Sequence, residues 1–339
     1  MKKINCAVIG MGVGERHARF YQEFNHTNLV KIYEKNKKLI NTLKKKYPKV
    51  EFVHSEKEII DDKNIELVSI ASYDNFHSNQ IIKCFKQNKN VFVEKPICLN
   101  LKELKNIVKY FNKSKSKISC NLILRSNSQF NKIKKICRSK KFGKIFYIEG
   151  DYNYGRLKKI KDGWRGKIPF YSVTYGGGVH IIDLVNWMLQ ELPSQVKAEA
   201  NKMVTKNSSF KYNDFSTALL KYKSGRIAKI TSNFGCAMPH HHSMNVFGSK
   251  STIIHNLNGT NIYYSRNKKI KPKKLTTPLN KKEKNNILKD FVLSLVGKNK
   301  NTLISFKEIL NAMLICFAIE KSFNSNTNIK LDYNKLKLI

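Results

Sequence analysis

The stretch Val8-Ile9-Gly10-Met11-Gly12-Val13-Gly14-Glu15-Arg16-His17 passes from an apolar run into a polar, helix-forming one through three glycines. Glycine has no Cβ, so a loop built from it lets backbone N–H groups approach an anion, and a helix opening directly behind adds its positive end. The run before it, Ile4–Ile9, reads as a first strand rather than the core of a signal peptide, because it is short and stops at Gly10 without a small-residue cleavage pattern. The next strand-like run, 29–33, ends on Glu34, twenty residues after Gly14. A carboxylate there accepts hydrogen bonds from a ribose diol and repels a 2′-phosphate. The pattern points to a dinucleotide with its pyrophosphate on Gly10, Gly12, Val13 and Gly14 and its adenosine ribose on Glu34, which favours NAD. Lys35, Lys37 and Lys38 leave room for NADP. On the glycines alone, a tight structural turn in another α/β protein would serve as well.

Outward from this stretch, residues 67–72, 91–93 and 118–124 continue a series of short β-rich runs separated by amphipathic segments. Between the last two, Leu101, Leu104, Ile107, Val108 and Phe111 recur at helical spacing behind Asn100, a suitable N-cap, so the connection is a helix and the strands can be parallel. Residues 1–125 are therefore expected to form a doubly wound parallel sheet. Beyond about residue 140 the runs lengthen and follow one another with few helices, at 145–154, 196–204, 215–222, 226–234, 243–247 and 252–255. This predicts a large, mostly antiparallel sheet in an α+β domain over 126–339, with Ser224-Gly225 marking a hairpin turn. Helical patterns return at 179–190, 285–296 and 306–323, and the Lys-rich segment 268–284, with Pro272 and Pro278, is the best candidate for a mobile loop.

The 339 residues, 41% hydrophobic, suit about two domains, and no apolar run approaches the ~18 residues of a membrane helix. The formal net charge of +40 raises nucleic acid, membrane surface or an anionic substrate as partners. The lysines are spread over most segments, however, and their clusters lack interleaved aromatics, which points to a solvated face and against nucleic acid and membrane. Seven cysteines, an odd count without a CxxC pair, fit reduced thiols in the cytoplasm. His240-His241-His242 invites a metal reading, but neighbours in a strand face opposite ways and no acidic or Cys ligand lies at metal-site spacing, so no metal is expected.

Two more segments, Ser69-Ile70-Ala71-Ser72-Tyr73-Asp74-Asn75-Phe76-His77 and Val91-Phe92-Val93-Glu94-Lys95-Pro96, stand beside the glycine stretch and Gly176-Gly177-Gly178-Val179-His180-Ile181-Ile182-Asp183. Together they resemble the glucose-fructose oxidoreductase / inositol dehydrogenase (Gfo/Idh/MocA) family of NAD(P)-dependent oxidoreductases over nearly the whole chain, with Glu-Lys-Pro among that family's most specific marks. The resemblance implies a Rossmann first domain, with Ser72, Asn75, His77 and Glu94 around the nicotinamide half. It also implies a cis peptide before Pro96, a catalytic acid/base at His180, and a homodimer or homotetramer. The family usually spaces its glycines GxGxxG; here the third arrives a residue early at Gly14, with Glu15 in its place, implying a tighter turn. The Asp that often stands four residues before the histidine is Gly176 in this chain.

Lys95 follows a buried-type strand at the carboxyl edge of the sheet, where doubly wound folds bind ligands. An ammonium there can donate to a substrate hydroxyl and stabilise developing alkoxide, and desolvation would let it exchange protons. His180 opens the helix predicted at 179–190, near the positive end of its dipole, which keeps the imidazole available as a base. Asp183 shares its face and either orients the ring or caps the first turn. Arg125, ending the 118–124 strand, and Tyr154, Arg156, Trp164 and Arg165 suit stacking on sugar faces and pairing with an anion; an ordinary Tyr-rich strand and a core tryptophan are the plain alternative. The expected activity is hydride transfer between NAD and a secondary alcohol of a sugar or nucleotide-sugar, a small-molecule carbohydrate. Redox-assisted elimination or glycoside cleavage without net NADH, or a non-catalytic NAD-binding regulator, are the alternatives.

Overall fold

The computed structural model describes residues 3–277 and 281–336; Met1, Lys2 and the Pro278 of the Lys-rich segment fall outside them. The chain divides into two compact units, one running to Asn121 and taking in Lys284–Leu310, the other comprising Leu122–Glu283 and Asn311–Lys335.

The first unit holds six strands, β1 (Ile4–Ile9), β2 (Thr27–Tyr33), β3 (Glu51–Val53), β4 (Leu67–Ile70), β5 (Asn90–Val93) and β6 (Ile118–Cys120). They pair in the order β3-β2-β1-β4-β5-β6, every pair parallel. The helices α1 (Gly14–Glu23), α2 (Lys37–Lys46), α3 (Glu56–Ile60), α4 (Asp74–Lys86) and α5 (Leu101–Phe111) make the crossovers. Strand β4 is buried along its whole length and β5 along all but its first residue, as strands covered on both faces must be. Asn100 caps α5 by accepting from Glu103 N at 2.9 Å. The chain order reverses between β1 and β4, which opens a crevice at the carboxyl ends of those strands. The expected 118–124 strand stops at Cys120, and a 3₁₀ turn, Ile123–Ser126, carries Arg125 instead.

The second unit holds β7 (Ile145–Asn153), β8 (Pro193–Asn201), β9 (Phe215–Tyr222), β10 (Ile227–Asn233), β11 (His241–Gly248), β12 (Thr252–Asn256), β13 (Gly259–Tyr263), β14 (Lys273–Lys274) and β15 (Ile329–Lys330). They form one sheet in the order β14-β13-β12-β11-β7-β10-β9-β8-β15, antiparallel except where β7 meets β10. Gly225 makes the β9–β10 hairpin at φ +85°, a conformation open to glycine. The helices are α6 (Ser128–Cys137), α7 (Leu157–Lys161) and α8 (Val179–Leu189). Part of the segment expected as a mobile loop is regular, since β14 pairs with β13 and Lys281–Asn285 makes a 3₁₀ turn.

Two closing helices, α9 (Asn286–Leu295) and α10 (Phe306–Ser325), complete the chain. On sequence alone the second domain runs unbroken from 126 to the end, whereas α9 and the first turn of α10 belong to the first unit. Aromatic packing ties them there: Phe291 meets Phe92 with ring centroids 6.2 Å apart, and Phe306 meets Phe111 at 4.4 Å. Among the described residues no helix is long and apolar enough to cross a membrane.

Candidate active site

The glycine stretch links β1 to α1. Gly10 sits at φ +86°, and a Cβ there would come 2.6 Å from the Ala71 carbonyl oxygen, so only glycine lets this turn pass the end of β4. A Cβ on Gly12 would meet nothing within 4 Å, so the backbone there faces open space. Val13, 48% exposed, precedes α1 with no side chain capping the helix, which leaves the N–H groups of Gly14 and Glu15 to a ligand. Glu34 turns its carboxylate onto this loop: Oε2 accepts from Met11 N at 2.7 Å and Oε1 from Asn36 N at 2.8 Å. The ribose acceptor expected from sequence is thus also a brace of the turn.

At the end of β4, Ser72 Oγ donates to Gln80 Oε1 at 2.6 Å. Asn75 Oδ1 is buried with no hydrogen-bond partner among the described residues, an acceptor that a bound group would satisfy. His77 is fully buried and spends its ring on the backbone, with Nδ1 2.7 Å from the Pro96 carbonyl oxygen and Nε2 3.1 Å from that of Ser72. His77 thereby fastens the loop after β4 to the loop after β5. The Lys95-Pro96 bond is cis. Beside it, Glu94 Oε1 accepts from Asn121 Nδ2 at 2.6 Å and lies 3.3 Å from His17 Nε2. Burial would push this carboxyl up, but His17, Lys95 and Asn121 outweigh it and hold it at about 2, so Glu94 is ionised. A glycine turn with free N–H groups, an open face over Gly12 and an orphaned acceptor at Asn75 together fit a dinucleotide.

In the second unit His180 does not open its helix. A π turn, Thr174–Gly178, runs straight into α8, so the imidazole stands more than a turn inside and gains little from the dipole, which acts over the first turn. The three glycines widen the helix instead of breaking it. A Cβ on Gly176 would strike the Tyr171 hydroxyl, and one on Gly177 the Tyr152 ring. The place that the expected Asp would take is thus filled by Tyr171, whose oxygen accepts from Arg165 Nε at 3.1 Å. The helix start is capped by Ser172, which accepts from the N–H groups of Thr174 and Tyr175 and donates to Glu320 on α10. Burial pushes the Glu320 carboxyl up to about 7.

His180 stacks on Tyr152, with centroids 6.1 Å apart, and Tyr152 on Tyr154 at 6.1 Å and Phe234 at 5.6 Å. Arg156 and Arg165 lie over the Tyr154 ring at 5.5 and 5.7 Å, and Arg165 also over Trp164 at 4.7 Å. The predicted Tyr154, Arg156, Trp164 and Arg165 are therefore neighbours. His240 and His242 close the cluster, each with its centroid within 5.3 Å of the Tyr152 ring. Burial lowers both imidazoles, His242 to about 3, which keeps them neutral. Arg125 and Asp183 pair with each other: Nε donates to Oδ2 at 2.8 Å and Nη2 to Oδ1 at 2.6 Å, both side chains 3% exposed or less. Arg125 thus brings no net charge for an anion, and Asp183 receives its fork instead of serving as a first-turn cap. Phe234, Tyr171 and Glu320 come from segments with no motif, and only the alternation of β10 hinted at Phe234.

Comparison with known proteins accords with this geometry. The profile "Oxidoreductase family, NAD-binding Rossmann fold" matches residues 4–122, and "GFO/IDH/MocA C-terminal domain" matches 130–254. Myo-inositol 2-dehydrogenase of Thermotoga maritima is 25% identical over 260 residues, 74% of this chain and 75% of the relative. The 2,7-anhydro-N-acetylneuraminate hydratase of Escherichia coli is 22% identical over 254 residues, 74% of this chain and 67% of the relative. A levoglucosan dehydrogenase solved with NADH and L-sorbose has the same fold, with a TM-score of 0.84 at 16% identity over 98% of this chain and 99% of that one. The chain belongs to the Gfo/Idh/MocA family of oxidoreductases, and its first unit is that family's NAD-binding Rossmann fold.

Proposed function

We propose that this oxidoreductase moves a hydride between NAD and a secondary alcohol or ketone of a sugar or nucleotide-sugar. The observation that carries the reading is the buried imidazole of His180, seated on Tyr152 beside a guanidinium–aromatic cluster in a chain whose other unit is an NAD-binding fold. NAD, when bound, supplies hydride acceptance or donation. The residues of this chain do the rest. Gly12, Val13 and Gly14 offer N–H groups to the pyrophosphate, while Gly10, whose own N–H donates to the Tyr33 carbonyl at 2.8 Å, makes the turn that admits it; Glu34 accepts from the adenosine ribose, and Ser72, Asn75 and Glu94 serve the nicotinamide half. Lys95 donates to the reacting hydroxyl and stabilises its developing negative charge, while His180 takes or returns the proton. Trp164 offers an apolar face, and Arg156 and Arg165 offer N–H donors to a polar or anionic substituent; Tyr154, 5% exposed and stacked on Phe234, supports the two guanidiniums instead of facing a sugar. Arg125 and Asp183 contribute as a neutral, rigid pair. The names of the relatives, a myo-inositol 2-dehydrogenase and a levoglucosan dehydrogenase, favour a cyclic polyol or sugar.

A second reading, transient oxidation that assists elimination with no net NADH, is favoured by the similarity to a hydratase. Absorbance at the reduced-nicotinamide band, with NAD or NADP and a panel of free, acidic and nucleotide-linked sugars, separates the two. Signal with one sugar class supports the dehydrogenase; product by mass spectrometry without absorbance change supports the elimination; bound cofactor without any product overturns both. Self-association as a homodimer or homotetramer is supported by Phe146 and Leu219, 57% and 53% exposed on strands of the large sheet. Light scattering that returned a monomer would overturn it. A cytoplasmic location is supported by free, mostly buried thiols.

A further inference from the structure

His17 lies in the first turn of α1 and is 1% exposed, its ring edge-on to Phe92 with centroids 5.2 Å apart. Burying an imidazole there costs desolvation that a leucine or phenylalanine would avoid, so its polarity must be used. Nε2 lies 3.3 Å from Glu94 Oε1, within ion-pair distance, and neither ring nitrogen makes a well-aligned hydrogen bond among the described residues. On the same oxygen Asn121 Nδ2 donates at 2.6 Å, and Arg16 Nη2 stands at 3.8 Å. Oε2 accepts no hydrogen bond among the described residues, and the side chain keeps 12% of its surface exposed. A carboxylate gripped by one oxygen from inside the fold, with the other left open at the carboxyl edge of a parallel sheet, is set to receive a ligand donor.

We propose that His17 is the positioning residue of the cofactor site, holding Glu94 by Oε1 with Asn121 so that Oε2 is presented to the hydroxyl groups of the nicotinamide half. The inference rests on the reading of Glu94 as a cofactor residue and adds what makes it work. A carboxylate without the clamp turns about its side-chain torsions and spends binding energy on being ordered.

Calorimetric titration of NADH into the full chain, with the unfolding temperature of each cofactor-free variant, tests this. His17→Leu should weaken NADH about tenfold, the scale of one ordered polar contact. His17→Gln, whose amide nitrogen reaches the place of Nε2, should stay within about threefold of the native chain. In a Glu94→Gln background, His17→Leu should change affinity less than about twofold, because the carboxylate it acts through is gone. An undiminished loss in that background, or no loss in the native one, overturns the inference while leaving Glu94 as a ligand. Unchanged affinity for Glu94→Gln alone overturns the reading of Glu94 and the inference with it. The ¹³C titration of the Glu94 carboxyl adds a readout that packing would not move: it should shift upward in His17→Leu, and an unmoved curve counts against the clamp. If His17→Leu fails to fold, His17→Asn takes its place, polar but too short to reach Glu94.

Discussion

The two units assemble their sites by opposite means. In the first, Gly10, Ser72 and Glu94 each follow the carboxyl end of a strand, and the parallel order β1-β4-β5 puts those ends side by side whatever the side chains do. In the second, the cluster around His180 draws on β7, the segment 164–171, a π turn and β11, held by pairs such as Arg125–Asp183 and Arg165–Tyr171. Topology fixes the first site and packing fixes the second. Substitutions should therefore be graded differently in the two.

The sharpest division is chemical. His180→Ala should cut turnover roughly 100- to 10,000-fold on whichever sugar is active, with NADH affinity nearly unchanged. Lys95→Ala should do the same from the other unit; equal losses of NADH affinity would erase the division of labour. Next is stability. Asp183→Ala removes the carboxylate paired with the buried Arg125 guanidinium and should cost about 3–5 kcal/mol in denaturant unfolding. Glu15→Ala, which removes the exposed 2.8 Å pair with Lys46 in the first unit, should cost under about 1 kcal/mol. Comparable costs would mean that packing matters equally in both.

A smaller effect concerns pH. Because the folded Glu320 holds its proton up to about 7, the unfolded chain loses its own first, and stability falls as pH rises from the ordinary carboxyl range through neutrality. The fall should reach roughly 3 kcal/mol between pH 4.5 and 8 and vanish in Glu320→Gln, measured by melting across that range. A native slope retained by the glutamine variant would clear Glu320 of the effect. Smallest is Glu34→Ala, expected to weaken NAD about tenfold and NADP less, by titration calorimetry. An unchanged NAD-to-NADP ratio would leave Glu34 only as the brace of Met11.

That contrast also governs what could be read from the residues. The parallel strands and the glycine turn are local patterns, and β1, β2 and β4 fall close to where apolar runs place them; three-residue β3 carries too little pattern to be seen. The antiparallel sheet was legible as a kind, with its hairpin at Gly225. Its ends shifted because register, not composition, decides where pairing stops: β8 begins at Pro193, where the chain reaches Tyr222 of β9. Arg125 and Asp183 were both named, but a bond across 58 positions leaves no local trace, so Arg125 looked available to a substrate and Asp183 to the His180 ring or the first turn. Tyr171 was invisible for the same reason, since only the space over Gly176 explains it.

The return of α9 and the start of α10 to the first unit has a consequence for biosynthesis. Phe92 and Phe111 leave the ribosome long before Phe291 and Phe306 exist to cover them. At typical elongation rates of ~5–20 residues per second, the nascent cofactor-binding half waits roughly 10 to 40 s with those aromatic faces bare. Its completion is tied to synthesis as far as Leu310, and a fragment ending near residue 125 should engage chaperones or aggregate rather than fold on its own.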